Sequence, residues 1–346
     1  MKSDKKIRVG ISIGDLNGIG SEIILKSFED QRMYDFCTPV VYGSYKLMGF
    51  LKKHFSSKVN LFEYKAVSNI SHNKMNVVNV WRDRVDINFG KEDAHMGKYA
   101  IKSLKAAVEA LKNREIDVLV TAPINKFNSQ SEEFKFAGHT DYLNQELDGD
   151  SLMFMVSDTL RVGLLTDHVP VKDVPSHIDK DLILRKIKTI SESLKQDFRV
   201  NKPKIAVLSI NPHAGDQGVI GKEDDEILKP TLEELQKDGQ LVYGPYAADS
   251  FFGNKNYENF DAVIASYHDQ GLIPFKTITF GEGVNFTAGL SCVRTSPDHG
   301  TAFEIAGQGV ADEGSFKKAI FMAIEIFRNR SEYQHYAKQP LKVSRD

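Results

Sequence analysis

Short apolar, β-rich runs alternate along the chain with segments whose apolar residues recur every three or four positions. Residues 7–13, 39–43 and 116–120 have strand character, and 21–30, 45–55 and 95–112 have helical period. In the last of these, Ile101, Leu104, Val108 and Leu111 predict one buried face of an amphipathic helix. The rhythm resumes with strands at 161–166, 204–210 and 261–266 and helices around 179–196 and 223–237. Such alternation predicts largely parallel sheets flanked by helices, with ligands gathered beyond the carboxyl ends of the strands. Residues 56–89 are less regular and predict extra or edge strands. Beyond Gly281 the text is glycine-rich and reads as loop, closed by a helix over 315–328 and a peripheral polar tail after Arg330.

A length of 346 residues predicts two domains or one large α/β unit. With 41% hydrophobic and 27% charged residues the chain has a soluble, globular composition, and no apolar run approaches the roughly 20 residues of a membrane helix. The opening residues MKSDKK lead straight into a strand-like run without a signal-peptide core, which gives a cytoplasmic expectation with no membrane partner. A formal net charge of −2 argues against a nucleic-acid partner. Cys37 and Cys292 are too few for a disulfide framework or a cysteine metal site and are expected to be buried free thiols.

The stretch GDLNGIG, residues 14–20, sits where a strand gives way to a helix, the usual place for a phosphate loop. Its spacing does not support that use. Gly20 is followed by Ser21 and Glu22 rather than the lysine of a Walker loop. A Rossmann loop fails as well, because Ile23 stands where its third glycine belongs and the next strand ends in Gly43-Ser44 without a ribose carboxylate. A tight turn is expected instead, with Ser21 or a neighbour capping the helix and Glu22 in its first turn.

Three other segments, RVGLLTDH, KIAVLSINPH and DAVIASYHDQG, each run a strand into a histidine: His168, His213 and His268. In a parallel sheet these ends share one side, so the imidazoles are candidates for a site holding zinc, or a divalent ion such as cobalt or nickel. Surface or structural histidines are the alternative. Further polar groups are His139, Thr140 and Asp141 in FAGHTDYL, then Asp249, Asp269, Lys276, Asn285 and Arg294. Lysine and arginine among glycines suit a phosphate or carboxylate. The loop SPDHGTAFEIAGQG, residues 296–309, offers backbone donors to a nucleotide, with a plain covering loop as the alternative.

Taken together, GDLNGIGSE, TAPINK, FAGHTDYL, INPHAGD, YHDQGLIPFK, VNFTAGL and RTSPDHGTAFEIAG resemble, in order, the motifs of the 4-hydroxythreonine-4-phosphate dehydrogenase family of vitamin B6 biosynthesis. The last motif also resembles the adenine-side loop of isocitrate and isopropylmalate dehydrogenases. The resemblance implies a two-domain α/β fold of that kind and not a Rossmann fold. A cofactor-side domain would comprise 1–128 plus 281–346, a metal, substrate and dimerisation domain 129–280, and the active site would lie in the cleft between them. It further implies a divalent metal (zinc, magnesium or cobalt) on His168, His213 and His268, in sites shared across a homodimer. Substrate would meet His139, Thr140, Lys276, Asn285 and Arg294, and NAD or NADP would lie against His299, Gly300, Thr301, Ala302 and Gly307. Leu16, Asn17 and Ser21 depart from the family's usual opening motif, and Glu304 stands where aspartate is usual.

The implied reaction is oxidation of 4-phosphooxy-L-threonine at its 3-hydroxyl to 2-amino-3-oxo-4-phosphooxybutanoate, which decarboxylates to 3-amino-2-oxopropyl phosphate. A metal lowers the hydroxyl pKa and then drains electrons from the new carbonyl. Asp249, Asp269 and Lys276 are the candidates for proton transfer. The nearest alternative is a dehydrogenase of 4-phospho-D-threonate or 4-phospho-D-erythronate. More distant ones are a zinc hydrolase and a non-catalytic, metal-dependent binding protein.

Overall fold

The computed structural model describes residues 6–338 except 66–68, 132–133 and 137. The sequence readings of residues 1–5 and 339–346 lie outside the described residues. In chain order the strands are β1 (Ile7–Ser12), β2 (Cys37–Gly43), β3 (Leu61–Tyr64), β4 (Met75–Asn79), β5 (Val118–Thr121), β6 (Gly149–Val156), β7 (Arg161–Leu164), β8 (Ile205–Leu208), β9 (Val242–Tyr246), β10 (Ala262–Ala265), β11 (Val284–Leu290) and β12 (Arg294–Pro297). The chain divides into two compact units: one runs up to Ser157 and adds Thr279–Ile324, and the other comprises Asp158–Ile278 and the chain from Glu325 on.

In the first unit the strand order is β3-β4-β2-β1-β5-β12-β11-β6. Pairing is parallel from β3 to β12, and β11 runs antiparallel to both β12 and β6. β1 and β2 are buried along their whole length, as strands covered on both faces must be. The helix Ala94–Lys112 starts at Asp93, whose side chain caps the His95 amide, and it buries Ile101, Leu104, Val108 and Leu111 as the periodicity predicts. From its buried face Ser103 accepts the Ile13 amide at 2.9 Å and donates to the Tyr42 carbonyl, fixing the carboxyl ends of β1 and β2 together.

The second unit holds β7-β10-β8-β9, all parallel, with the helix Lys180–Phe198 capped by Asp179. The expected 223–237 helix begins as a π-helical turn, Asp224–Leu228, and becomes α-helical only at Lys229–Lys237. Pro230 lacks an amide hydrogen and sits in the first α-helical turn, where none is needed. In the last helix, Gly314–Lys338, Arg330 is buried against Asp197, and the residues from 331 on are exposed.

Several readings need correction. The text after Gly281 is not loop throughout: 284–290 and 294–297 are strands, and 149–156 is a third that the sequence reading passed over. In 284–290 and 294–297 polar residues such as Thr287 and Arg294 are buried, which breaks the apolar signature. Because β6 pairs with β11, it clusters with the first unit. The helix Gly20–Ser27 has no side-chain cap; Ser21 Oγ is buried without a partner among the described residues. Glu22 is in the first turn as expected, accepting from the Ala311 amide at 2.8 Å and from Lys26 Nζ at 2.9 Å. Both cysteines are free; Cys37 is buried, which pushes its thiol up to about 12, and Cys292 is only half-buried.

Candidate active site

In the first unit β5, β11 and β12 bring their polar residues to one place. Arg294 opens β12 and is 1% exposed. Its Nε donates to Thr121 Oγ1 at 3.1 Å, its Nη2 donates to the same hydroxyl at 2.5 Å, and its Nη1 donates to Thr287 Oγ1 at 3.1 Å. No carboxylate pairs with it among the described residues. Burial lowers its guanidinium to about 9, so it remains a cation at neutral pH. Asn285 lies two residues before Thr287, on the same face of β11, and its Oδ1 is buried without a partner among the described residues.

The helix His139–Glu146 begins nearby in charge terms, with Thr140 its second residue. His139 Nε2 is likewise buried without a partner among the described residues. Burial, and then the positive charges of Arg294 and Lys126, hold this imidazole well below its ordinary pKa, in the neutral form. A buried cation lacking a counter-ion and a helix N-terminus suit an anion, and the unsatisfied Asn285 Oδ1 suits a hydrogen-bond donor.

The segment from Asp298 to Gly309 follows β12. Ser315 Oγ accepts the Asp298 amide at 3.3 Å and donates to the Gly283 carbonyl at 2.9 Å, anchoring the loop's start. Ala302 takes a left-handed conformation before the single turn Phe303–Ile305. His299 Nδ1 faces the Gly300 carbonyl at 3.0 Å, and its Nε2 is buried without a partner among the described residues. Gly300 is exposed, and a Cβ there would meet no atom within 4 Å. The 14–20 turn packs beneath this loop: the Ile19 amide donates to the Thr301 carbonyl at 3.0 Å. Asp15, which the sequence reading did not single out, is buried in that turn. Burial raises its pKa, opposed by donation from Asn128 Nδ2 and the Asn17 amide.

In the second unit the strand ends after β7, β8 and β10 carry His168, His213 and His268. The Gln270 side chain ties two of these ends together, accepting the Ser266 amide and donating to the Ser209 carbonyl, both at 2.7 Å. His213 sits in a left-handed loop. Asp224, fully buried in the π-helical turn, accepts the Ile210 and Asn211 amides at 2.7 and 2.9 Å and fixes the loop's entry. His213, Asp249, Tyr267 and Gln270 line a cleft of about 290 Å³. The His168 and His268 rings lie 5.9 Å apart, and His268 Nδ1 meets Asp269 Oδ1 at 2.7 Å. Lys276 lies seven residues beyond Asp269 on the helix His268–Ile278, about two turns along. Among the described residues, no three His, Cys, Asp or Glu side chains gather closely enough to hold a metal within the chain. The imidazole donors fit a borderline divalent ion in chemistry; the count within one chain stops short of a closed site.

Comparison with known proteins places this arrangement in a class. A family model described as "Pyridoxal phosphate biosynthetic protein PdxA" matches residues 35–323. A 4-hydroxythreonine-4-phosphate dehydrogenase of Bacteroides thetaiotaomicron is 47% identical over 98% of this chain and 94% of its own. One from Sulfurihydrogenibium is 38% identical, covering 94% of this chain and 99% of its own. Among solved structures, a putative 4-hydroxythreonine-4-phosphate dehydrogenase from Salmonella typhimurium superposes with a TM-score of 0.81 at 32% identity, covering 93% of this chain and all of that one. The chain is an α/β protein of the PdxA family of pyridoxal phosphate biosynthesis.

Proposed function

We propose that this protein catalyses the metal-dependent, NAD(P)-linked oxidation of 4-phosphooxy-L-threonine to 2-amino-3-oxo-4-phosphooxybutanoate, which loses carbon dioxide to give 3-amino-2-oxopropyl phosphate. The observation that carries the reading is the buried Arg294 cation, without a carboxylate partner among the described residues, in a chain of this family. The relatives' names favour the amino acid over phosphorylated threonate or erythronate.

Arg294, Asn285, His139 and Thr140 hold the anionic groups of the substrate. Neutral His139 uses Nε2 as donor or acceptor without adding charge, and Arg294 supplies the counter-ion. His168, His213 and His268 are the residues that would hold the metal, with Asp269 fixing the His268 ring. When bound, the metal would supply Lewis acidity toward the substrate hydroxyl and the nicotinamide a hydride acceptor. Asp249 and Lys276 accept and return protons, with Asp269 kept on the imidazole. The backbone of His299, Gly300, Thr301, Ala302 and Gly307 receives the cofactor.

A metal set shared by two copies accounts for a chain that does not close the site alone. Val171, Val219, Ile220 and Ile273 in the second unit are large, exposed apolar residues, which supports a homodimer built through that unit. No helix is long and apolar enough to cross a membrane among the described residues. Free Cys37 and Cys292 suit a reducing, cytoplasmic setting. The test is a panel of 4-phosphooxy-L-threonine, 4-phospho-D-threonate and 4-phospho-D-erythronate against NAD and NADP. Preferred turnover of the amino acid is expected; preference for either hydroxy acid would move the enzyme to the neighbouring reaction.

A further inference from the structure

Asn17 is fully buried, yet each of its polar groups is used, and most of its partners lie in another loop. Its Oδ1 accepts the Asn88 amide at 2.9 Å, its Nδ2 donates to the Lys91 carbonyl at 2.9 Å, and its own carbonyl accepts the Gly90 amide at 2.9 Å. Its amide donates to Asp15 Oδ1 at 3.0 Å, which closes the turn on itself. One side chain therefore clamps both ends of the segment 88–91.

That segment supports the 299–307 loop. Gly90 has φ +76°, and a Cβ there would stand 2.7 Å from the Phe303 carbonyl oxygen. Phe89 packs against Gly307 and stacks on His54 at 5.0 Å, while His54 Nε2 meets the Gly307 carbonyl at 3.0 Å. From the other side the 14–20 turn touches the loop directly, with a Cβ at Gly18 falling 2.9 Å from the Thr301 carbonyl oxygen. The loop is thus seated on two supports, and Asn17 is the residue that joins them.

We infer that Asn17 is a positioning residue for nicotinamide cofactor binding, holding the 299–307 backbone in its receptive shape through the 88–91 segment. The inference rests on the reading that 299–307 receives the cofactor. Removing the side chain leaves the Asn88 amide and Lys91 carbonyl unpaired, so the segment relaxes and the loop loses its seat.

Asn17→Ala is expected to raise the KM for the nicotinamide cofactor about tenfold, with kcat at saturating cofactor changed less than about twofold. Hydrogen exchange in residues 88–91 and 299–307 should speed up together, without activity as the readout. Asn17→Ser, which keeps a short, uncharged polar side chain in the turn, is expected to shift KM by a smaller factor; it carries the test if the alanine variant does not fold. Gly300→Val is measured beside them. If Gly300→Val raises the cofactor KM and neither Asn17 variant does, the positioning role is overturned while the cofactor loop stands. If Gly300→Val has no effect on that KM, the loop assignment itself has failed.

Discussion

Around Arg294 the first unit presents buried polar atoms already held in place, whereas the candidate groups of the second unit lie open at strand ends. Arg294 is 1% exposed and bound only to threonine hydroxyls among the described residues, while the His268 and Asp269 side chains are 39% and 68% exposed. A buried cation without a counter-ion costs stability that an anionic ligand returns on binding. Exposed imidazoles cost little until a metal arrives, and they can be shared with another copy. The contrast is what the proposed function asks for, with substrate recognised at the preformed corner and metal captured at the open one.

The largest effect should come from Arg294→Met. Losing the guanidinium removes charge-assisted hydrogen bonds to substrate and is expected to lower kcat/KM by about a thousandfold. Thermal unfolding should stay the same or shift upward, because an apolar side chain of similar length replaces a buried, unpaired cation. A thousandfold loss with a falling Tm would make Arg294 a fold residue and erase the contrast.

A smaller effect is expected at Gly300, where an added Cβ meets no atom within 4 Å. Gly300→Val should raise the cofactor KM about tenfold while leaving Tm unchanged. The smallest effect concerns His139. Its folded pKa is depressed, so below the unfolded value of about 6.5 the unfolded chain takes up a proton that the folded chain refuses. Stability from this residue is present above that pH and is lost as pH falls, by up to about 1.4 kcal/mol per pH unit. Replacing His139 by Gln should flatten the Tm profile between about pH 6.5 and 5; an unchanged profile would show that this imidazole titrates normally.

Much of the fold was legible because parallel strands and amphipathic helices write a plain hydrophobic pattern, as Ile101, Leu104, Val108 and Leu111 show. The strands β11 and β12 were not legible in that pattern. Asn285, Thr287 and Arg294 interrupt it, since their side chains serve a site or one another inside the unit. The histidines at three strand ends could be read from spacing, but what fixes them could not. Asp224 lies eleven residues after His213 and reaches back to the loop's amides only once a π-helical turn has formed. Asn17 appeared in the sequence only as a departure from a motif; its value depends on a loop about seventy residues away.

The central claim is that this chain performs nicotinamide-linked oxidation through a histidine-held metal. The most direct test replaces His213 by Ala and measures metal content and reduction of NAD(P) by 4-phosphooxy-L-threonine on the same preparation. The account predicts that bound metal and turnover fall together, with the protein still folded. Full turnover by metal-free His213→Ala protein would contradict it.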